Sequence, residues 1–325
     1  MFFLSGIFVW PSLNRKGSCA FLRGRLLRIG LPFLLGVYLL MSFAYYPAYR
    51  VGTSDPSWLG YWQHLEALPF WPSGPLWFLW ELLLFDIAAA ALHRFFPAAG
   101  DALGRLSRNA NSTPGRYFCG LSGISALAYL PLALMFGAKE WREFGPFALQ
   151  PDRILLYFVY FLAGLGVGAH GYDRGLLHPD GTLVRRWPYW LAAAPAAFVL
   201  WMACVAPSVY NRSNIAIDLA GYLAVVLAVA SACLCFVAMF LRFATGRRPW
   251  WDSIAENAYV IYLVHYVFVV WLQYGFLGAA LPAVVKAILV FVFAFALSWA
   301  TAISIAAVAA YLRTVRFKPS WETSD

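Results

Sequence analysis

The sequence predicts an all-α integral membrane protein with about eight full transmembrane helices and an N-terminal partial one, and three observations carry that expectation. First, 62% of the 325 residues are hydrophobic and 12% charged, about half the charge of a soluble domain, with a mean hydropathy of +0.67. Second, the apolar residues gather into runs long enough to cross a bilayer. Third, the charges fall in the loops between those runs, and Lys and Arg alternate from dense loops to sparse ones. No long soluble domain and no low-complexity tail interrupts the pattern, so residues 1–325 read as a single membrane-embedded domain.

The elements follow in order. Met1 to Trp10 is apolar but about half the length a crossing helix needs, and it has no basic region or small-residue cleavage site. It reads as the remnant of an early helix. Pro11 to Arg28 reads as a short polar loop holding Arg15, Lys16, Arg23, Arg25 and Arg28. Full spans are then expected near Ile29–Tyr46, Leu76–Phe96, Tyr117–Phe136, Arg153–His170, Trp187–Val209, Ile217–Leu241, Ile254–Tyr274 and Val284–Leu312. Continuous apolar runs of this length are helices, because lipid leaves the backbone no other hydrogen-bonding partner.

Loop charge tests this parsing. Eighteen Lys and Arg lie on one side of the membrane, the C-terminal Arg313, Arg316 and Lys318 among them. Only Arg50, Lys139, Arg142, Arg153, Arg212 and Lys286 lie on the other. A three-to-one bias places the dense side, including residues 313–325, in the cytoplasm of a multi-pass bacterial inner-membrane protein. Parity then calls for one more helix upstream of Met1. The net charge of +9 is thus topological, and no nucleic-acid partner is expected. Cys19, Cys119, Cys204, Cys233 and Cys235 are scattered, show no metal-ligand spacing and read as packing residues; no metal is expected.

Arg25 and Arg28 are three apart, so an α-helix would put both on one face. Two readings stay open: a positive-inside anchor, or a grip on one phosphorylated ligand. Within the spans, Glu81, Asp86 and His265 are ionisable groups that are costly in lipid. Ser253-Ile254-Ala255-Glu256 resembles a capping box, which would start a helix at Ser253 and place His265 roughly 18 Å along it. Asn257, Ile261 and His265 then share a stripe beside Tyr262, with His265 either satisfied by a neighbouring helix or serving as a functional hydrogen-bond donor. Glu81 and Asp86, five apart, point about 140° from each other and should meet different helices. Trp58, Trp62, Trp71, Trp77 and Trp80, with Tyr61 and His64, crowd the outer loop as an aromatic belt or a sugar platform. Gly164, Gly166 and Gly168 lack a preceding strand and read as helix-packing residues rather than a phosphate loop.

Four segments resemble the membrane acyltransferase-3 family, and within it the branch that modifies periplasmic glucans. Phe2-Phe3-Leu4-Ser5-Gly6 is similar to its FFxLSG segment, and Arg25-Leu26-Leu27-Arg28 with Pro32 to its RxxR motif. Leu76-Trp77-Phe78-Leu79 is similar to its external WFL motif, and Asn257 to His265 to its SYxIYLxH segment. Two departures stand out: Pro75 occupies a common histidine position and Ala258 a common serine position. A third is a first helix with a histidine base, which is expected to be lacking, against a family pattern of about ten helices.

The resemblance implies transfer of an acetyl or succinyl group from cytosolic acyl-CoA (acetyl-CoA or succinyl-CoA, used as donor substrate with no permanently bound cofactor). The acceptor it implies is a hydroxyl of a carbohydrate on the outer side. On that reading Arg23, Arg25, Arg28 and Ser5 hold the donor, His265 and Glu81 act in catalysis, and Trp77, Tyr262 and Asn257 contact substrate. Two alternatives remain: a glycan or lipid-linked sugar transporter, or an inactive truncated member with a scaffolding role.

Overall fold

The computed structural model describes residues 1–138, 140–209, 214–244, 246 and 248–316, without the side chains of 208, 209 and 313–316. Lys139, Arg212, Arg247 and Lys318 of the loop-charge count, and the tail beyond 316, lie outside the described residues.

The helices in chain order are α1 (Phe2–Ile7), α2 (Val9–Lys16), α3 (Ser18–Gly52), α4 (Trp58–Ala67), α5 (Trp77–Phe95), α6 (Ala99–Ser107) and α7 (Pro114–Phe136). They continue with α8 (Ile154–His170), α9 (Thr182–Arg185), α10 (Trp187–Val209), α11 (Ile215–Phe243), α12 (Pro249–Gly275) and α13 (Ala283–Arg316). A two-stranded hairpin, β1 (Arg142–Phe144) and β2 (Phe147–Leu149), precedes α8. Among the described residues seven helices are long and apolar enough to cross a membrane, and Ile154–His170 is a shorter apolar helix. Together they match the eight expected spans, and the protein is an all-α membrane protein.

Two expectations change. The segment read as a loop before Ile29 is helical: α2 ends at Gly17, whose φ of +75° suits glycine, and α3 starts at once with Ser18. Cys19 to Leu27 contains good helix formers, so charge alone does not make a loop of it. The second change concerns α12, which begins at Pro249, four residues before the expected Ser253 cap. Proline at the first helical position is pre-organised and loses no hydrogen bond, and it outcompetes the serine. Ser253 lies inside the helix, where its carbonyl accepts from Asn257 and its hydroxyl accepts from Trp299 Nε1 on α13 at 3.2 Å.

The chain divides into two compact units: residues 1–31, 78–143 and 148–246, and residues 32–77, 144–147 and 247–325. In the first unit α8 is the central post, and its glycines decide what it can touch. A side chain at Gly164 or Gly168 would overlap the carbonyl oxygens of Phe3 and Ile7 on α1, and one at Gly166 would crowd Leu103 of α6. Small residues let the backbones meet, which is how helices associate when lipid removes the hydrophobic drive between them. The packing reading of this glycine run holds; no phosphate loop forms.

Loop ends in the first unit can be followed from one contact to the next. Ser18 Oγ donates to the Ala90 carbonyl at 3.2 Å, and His93 Nε2 pairs with Asn14 Oδ1 at 3.1 Å, joining α2 and the start of α3 to the end of α5. Gly104 lies against His170, and Trp187 meets Phe243 edge-on at 5.1 Å. Arg15 to Arg28, Arg94 to Arg116, Arg174 to Arg186 and Arg242 therefore gather at one end. The alternation of loop charge is thus realised in space for this unit.

In the second unit the latter part of α3, α4, α12 and α13 pack together. Ser57 caps α4, accepting from Gly60 N at 3.0 Å, and Asp55 accepts from Ser57 N at the same distance. A 3₁₀ turn, Gly74–Leu76, leads into α5, with Pro75 suited to its start.

Candidate active site

Within the first unit, the arginines do not form the simple pair their spacing suggests. From Leu26 to Gly30 the helix widens into a π turn, so the α-helical angle assumed for residues three apart does not apply to Arg25 and Arg28. Arg25 instead turns inward. Its Nε lies 3.3 Å from Asp86 Oδ2, and its guanidinium sits 5.1 Å from the centre of the Phe21 ring. Asp86 is fully buried, and this ion pair is what makes a carboxylate tolerable in the middle of α5. Arg23 and Arg28 stay exposed on the same helical stretch. Ser5 sits half-buried on α1, and no hydrogen bond joins its side chain to the arginines among the described residues.

Glu81, also fully buried, points elsewhere, as the angular argument expected. Neither of its carboxylate oxygens has a hydrogen-bond partner among the described residues, and it lies within electrostatic reach of the Tyr157 phenol on α8. Tyr157 and Tyr129 both face the guanidinium of Arg153, beside the buried Asp152 whose Oδ2 is 3.5 Å from Arg153 Nε. This polar chain, Glu81–Tyr157–Arg153–Asp152, joins α5 to the start of α8, opposite the arginine-rich end. Arg153 was counted only as a loop charge; the missed signal was the Asp152-Arg153 pair placed directly before an apolar helix.

Asp152 sits just outside α8, and burial raises its carboxyl above the usual range despite the opposing Arg153. A group of this kind contributes stability below its ordinary pKa and loses it as pH rises through the raised one. Replacing Asp152 with asparagine is therefore expected to raise the melting temperature at about pH 7 and to change it little at about pH 3, below the ordinary carboxylate pKa. A gain of equal size at both pH values would contradict the assignment.

The second unit holds the other sequence candidates. Tyr262 donates its hydroxyl to the carbonyl of Pro75, so it pins the 3₁₀ turn that sets Trp77 at the head of α5. Gly74 in that turn lies against Tyr266, and Gly36 of α3 lies against Leu76. Asn257 donates to Ser253 O within its own helix at 2.8 Å. His265 lies 2.7 Å through Nδ1 from the carbonyl oxygen of Tyr262. A carbonyl only accepts, so Nδ1 carries a proton, and Nε2 is the acceptor in the singly protonated tautomer. Because α12 starts at Pro249, His265 lies about 24 Å from that start and about 15 Å from Gly275.

The aromatic crowd is ordered, and most of it belongs to this unit. Tyr46 stacks on Trp58 with ring centres 3.6 Å apart, and Tyr61 meets Tyr46 edge-on at 5.3 Å. Tyr49 packs on Tyr61 and His64 at 5.2 and 5.3 Å. Tyr45, Tyr49, Tyr61 and His64 line a cavity of about 420 Å³, within the size range of ligand sites, roughly 300–1,000 Å³. Tyr45 in turn touches Tyr266, the neighbour of His265, at 5.9 Å. Burial drives the Tyr61 phenol above its usual pKa. Trp80, by contrast, belongs to the first unit and donates to Ala148 O at 2.8 Å.

Among the described residues no group of three or more His, Cys, Asp or Glu could hold a metal ion. Comparison with curated proteins and with solved structures gave no match. A family model described as an acyltransferase domain matches residues 1–303, covering all eight spans but the last residues of α13. The chain therefore belongs to the acyltransferase-3 family, and its general activity is that of a membrane acyltransferase.

Proposed function

We propose that this protein transfers an acyl group, acetyl or succinyl, from acyl-CoA on the arginine-rich side to a carbohydrate hydroxyl on the opposite side. The observation that carries this reading is His265, held in α12 by its Nδ1–H so that Nε2 is the basic nitrogen. In the proposed step Nε2 takes the proton of the acceptor hydroxyl while its oxygen attacks the thioester carbonyl. The tetrahedral intermediate then expels the CoA thiolate, which recovers the proton from the imidazolium. The donor's phosphates carry charge that lipid excludes, and the exposed Arg23 and Arg28 are the cations proposed to meet them. Arg25 is held by Asp86 and contributes field rather than a fork to the ligand. The aromatic cavity beside Tyr45 supports a sugar acceptor, since sugar rings stack on such faces.

The test is a labelled-donor assay on the purified full chain with a glucan oligosaccharide as acceptor. His265→Gln is expected to lower the transfer rate by about 10²–10⁴-fold, the usual worth of a positioned general base, with unchanged folding and membrane insertion. Transfer within about threefold of the parent protein would sink the assignment of His265.

A further inference from the structure

At the arginine-rich end of the first unit two cavities join. One, of about 490 Å³, is lined by polar groups: Ser112, Thr113, Arg116, Thr182 and Arg186, with Trp190 at its edge. The other, of about 500 Å³, runs along α7 between α6 and α8 and is walled by Leu121, Ile124, Val159 and Leu162, with Arg105 at its rim. Thr113 and Arg116 line both. Each volume is that of a ligand site. None of the lining residues belongs to the Arg23–Arg28 cluster, and no Asp or Glu lines either cavity.

The chemistry is that of an amphiphile with a negative head. Two arginines, Arg116 and Arg186, line the polar mouth together with the positive end of the α7 dipole, and a third, Arg105, lines the adjoining groove. The groove below them is apolar and open to lipid, for Leu106 and Ile124 are 68% and 52% exposed. A soluble phosphate fills the mouth but leaves the groove empty, whereas a zwitterionic lipid fills the groove but leaves the arginines uncompensated. Basic pockets between transmembrane helices commonly take anionic lipid head groups. We infer that this double cavity is a specific site for one anionic phospholipid of the leaflet on the arginine-rich side, with its phosphate at Arg116 and Arg186, Arg105 beside the groove and one acyl chain along α7.

The test uses the full chain in neutral detergent, titrated with dioleoylphosphatidylglycerol, dioleoylphosphatidylcholine or sodium phosphate. Bound lipid is read by native mass spectrometry and stability by melting temperature. The glycerol lipid is expected to remain as a single adduct and to raise the melting temperature, while the choline lipid and phosphate do neither. Arg116→Gln with Arg186→Gln is expected to weaken the adduct at least about tenfold, and Arg94→Gln, an exposed arginine outside the cavities, is not. Gly120→Leu supplies an independent arm. A Cβ there meets nothing within 4 Å, so leucine enters open groove, favours the helix and still blocks the acyl chain. Equal binding of the choline lipid, equal binding of phosphate, or full binding by both variants would overturn the proposal. Displacement of the lipid by acyl-CoA would also overturn it, by assigning the cavities to the donor.

Discussion

Arg25→Ala is expected to cost the folded chain about 3–5 kcal/mol, because it strips Asp86 of the cation 3.3 Å away and leaves a fully buried carboxylate unpaired. Removing both partners should be far milder. In Arg25→Ala with Asp86→Leu no charge is left in the span, and replacing a buried ion pair by apolar residues is often neutral. The measurement is a double-mutant cycle in melting temperature or denaturant resistance of the purified protein. A single-mutant loss that the second substitution does not relieve would show that Arg25 has another structural duty. The cycle also matters for function, because loss of acyl transfer in Arg25→Ala alone would mix a folding defect with any donor defect. Arg28, exposed on the same stretch, is a second probe of donor binding. Arg28→Ala is expected to raise the KM for acyl-CoA with kcat little changed if its contact is the same in ground and transition states.

The second large effect is steric. Gly164→Leu places a side chain into the backbone of α1, where even a Cβ overlaps the Phe3 carbonyl. Neither backbone can give way by the small shifts that a flexible side chain allows. Overpacking of this kind costs about 1–3 kcal/mol in an adaptable core, and here it should exceed that range and abolish the α1–α8 contact. Gly123→Leu, at an exposed glycine of α7 with nothing within 4 Å of a Cβ, is the matched control and should leave stability unharmed. A Gly164→Leu protein as stable as that control would mean that α1 does not pack where the structure places it.

Much of this was legible from residue types alone, for identifiable physical reasons. Span number and order follow from hydropathy, because a backbone in lipid can satisfy itself in very few ways. The glycine run of α8 was read correctly because a phosphate loop needs a preceding strand and helix packing does not. What was not legible depends on geometry that spacing cannot carry. The π turn from Leu26 to Gly30 breaks the 3.6-residue period on which the Arg25–Arg28 argument relied. The pairing of Arg25 with Asp86 joins residues far apart in the chain and has no local signature. Ser253 and Pro249 both signal a helix start, and the pre-set φ of proline at the first helical position favours Pro249. For His265, the sequence showed a polar group in a span, and only the position of the Tyr262 carbonyl determined which ring nitrogen is basic.

The central claim is that donor and acceptor are handled on opposite sides of the membrane. Sealed vesicles carrying the full chain, with labelled acyl-CoA added outside and a glucan oligosaccharide trapped inside, test it directly. Vesicles with the arginine-rich side outward should label the trapped glucan, and vesicles of the opposite orientation should not. Equal labelling in both orientations, or labelling only when the arginine-rich side faces inward, would contradict the account.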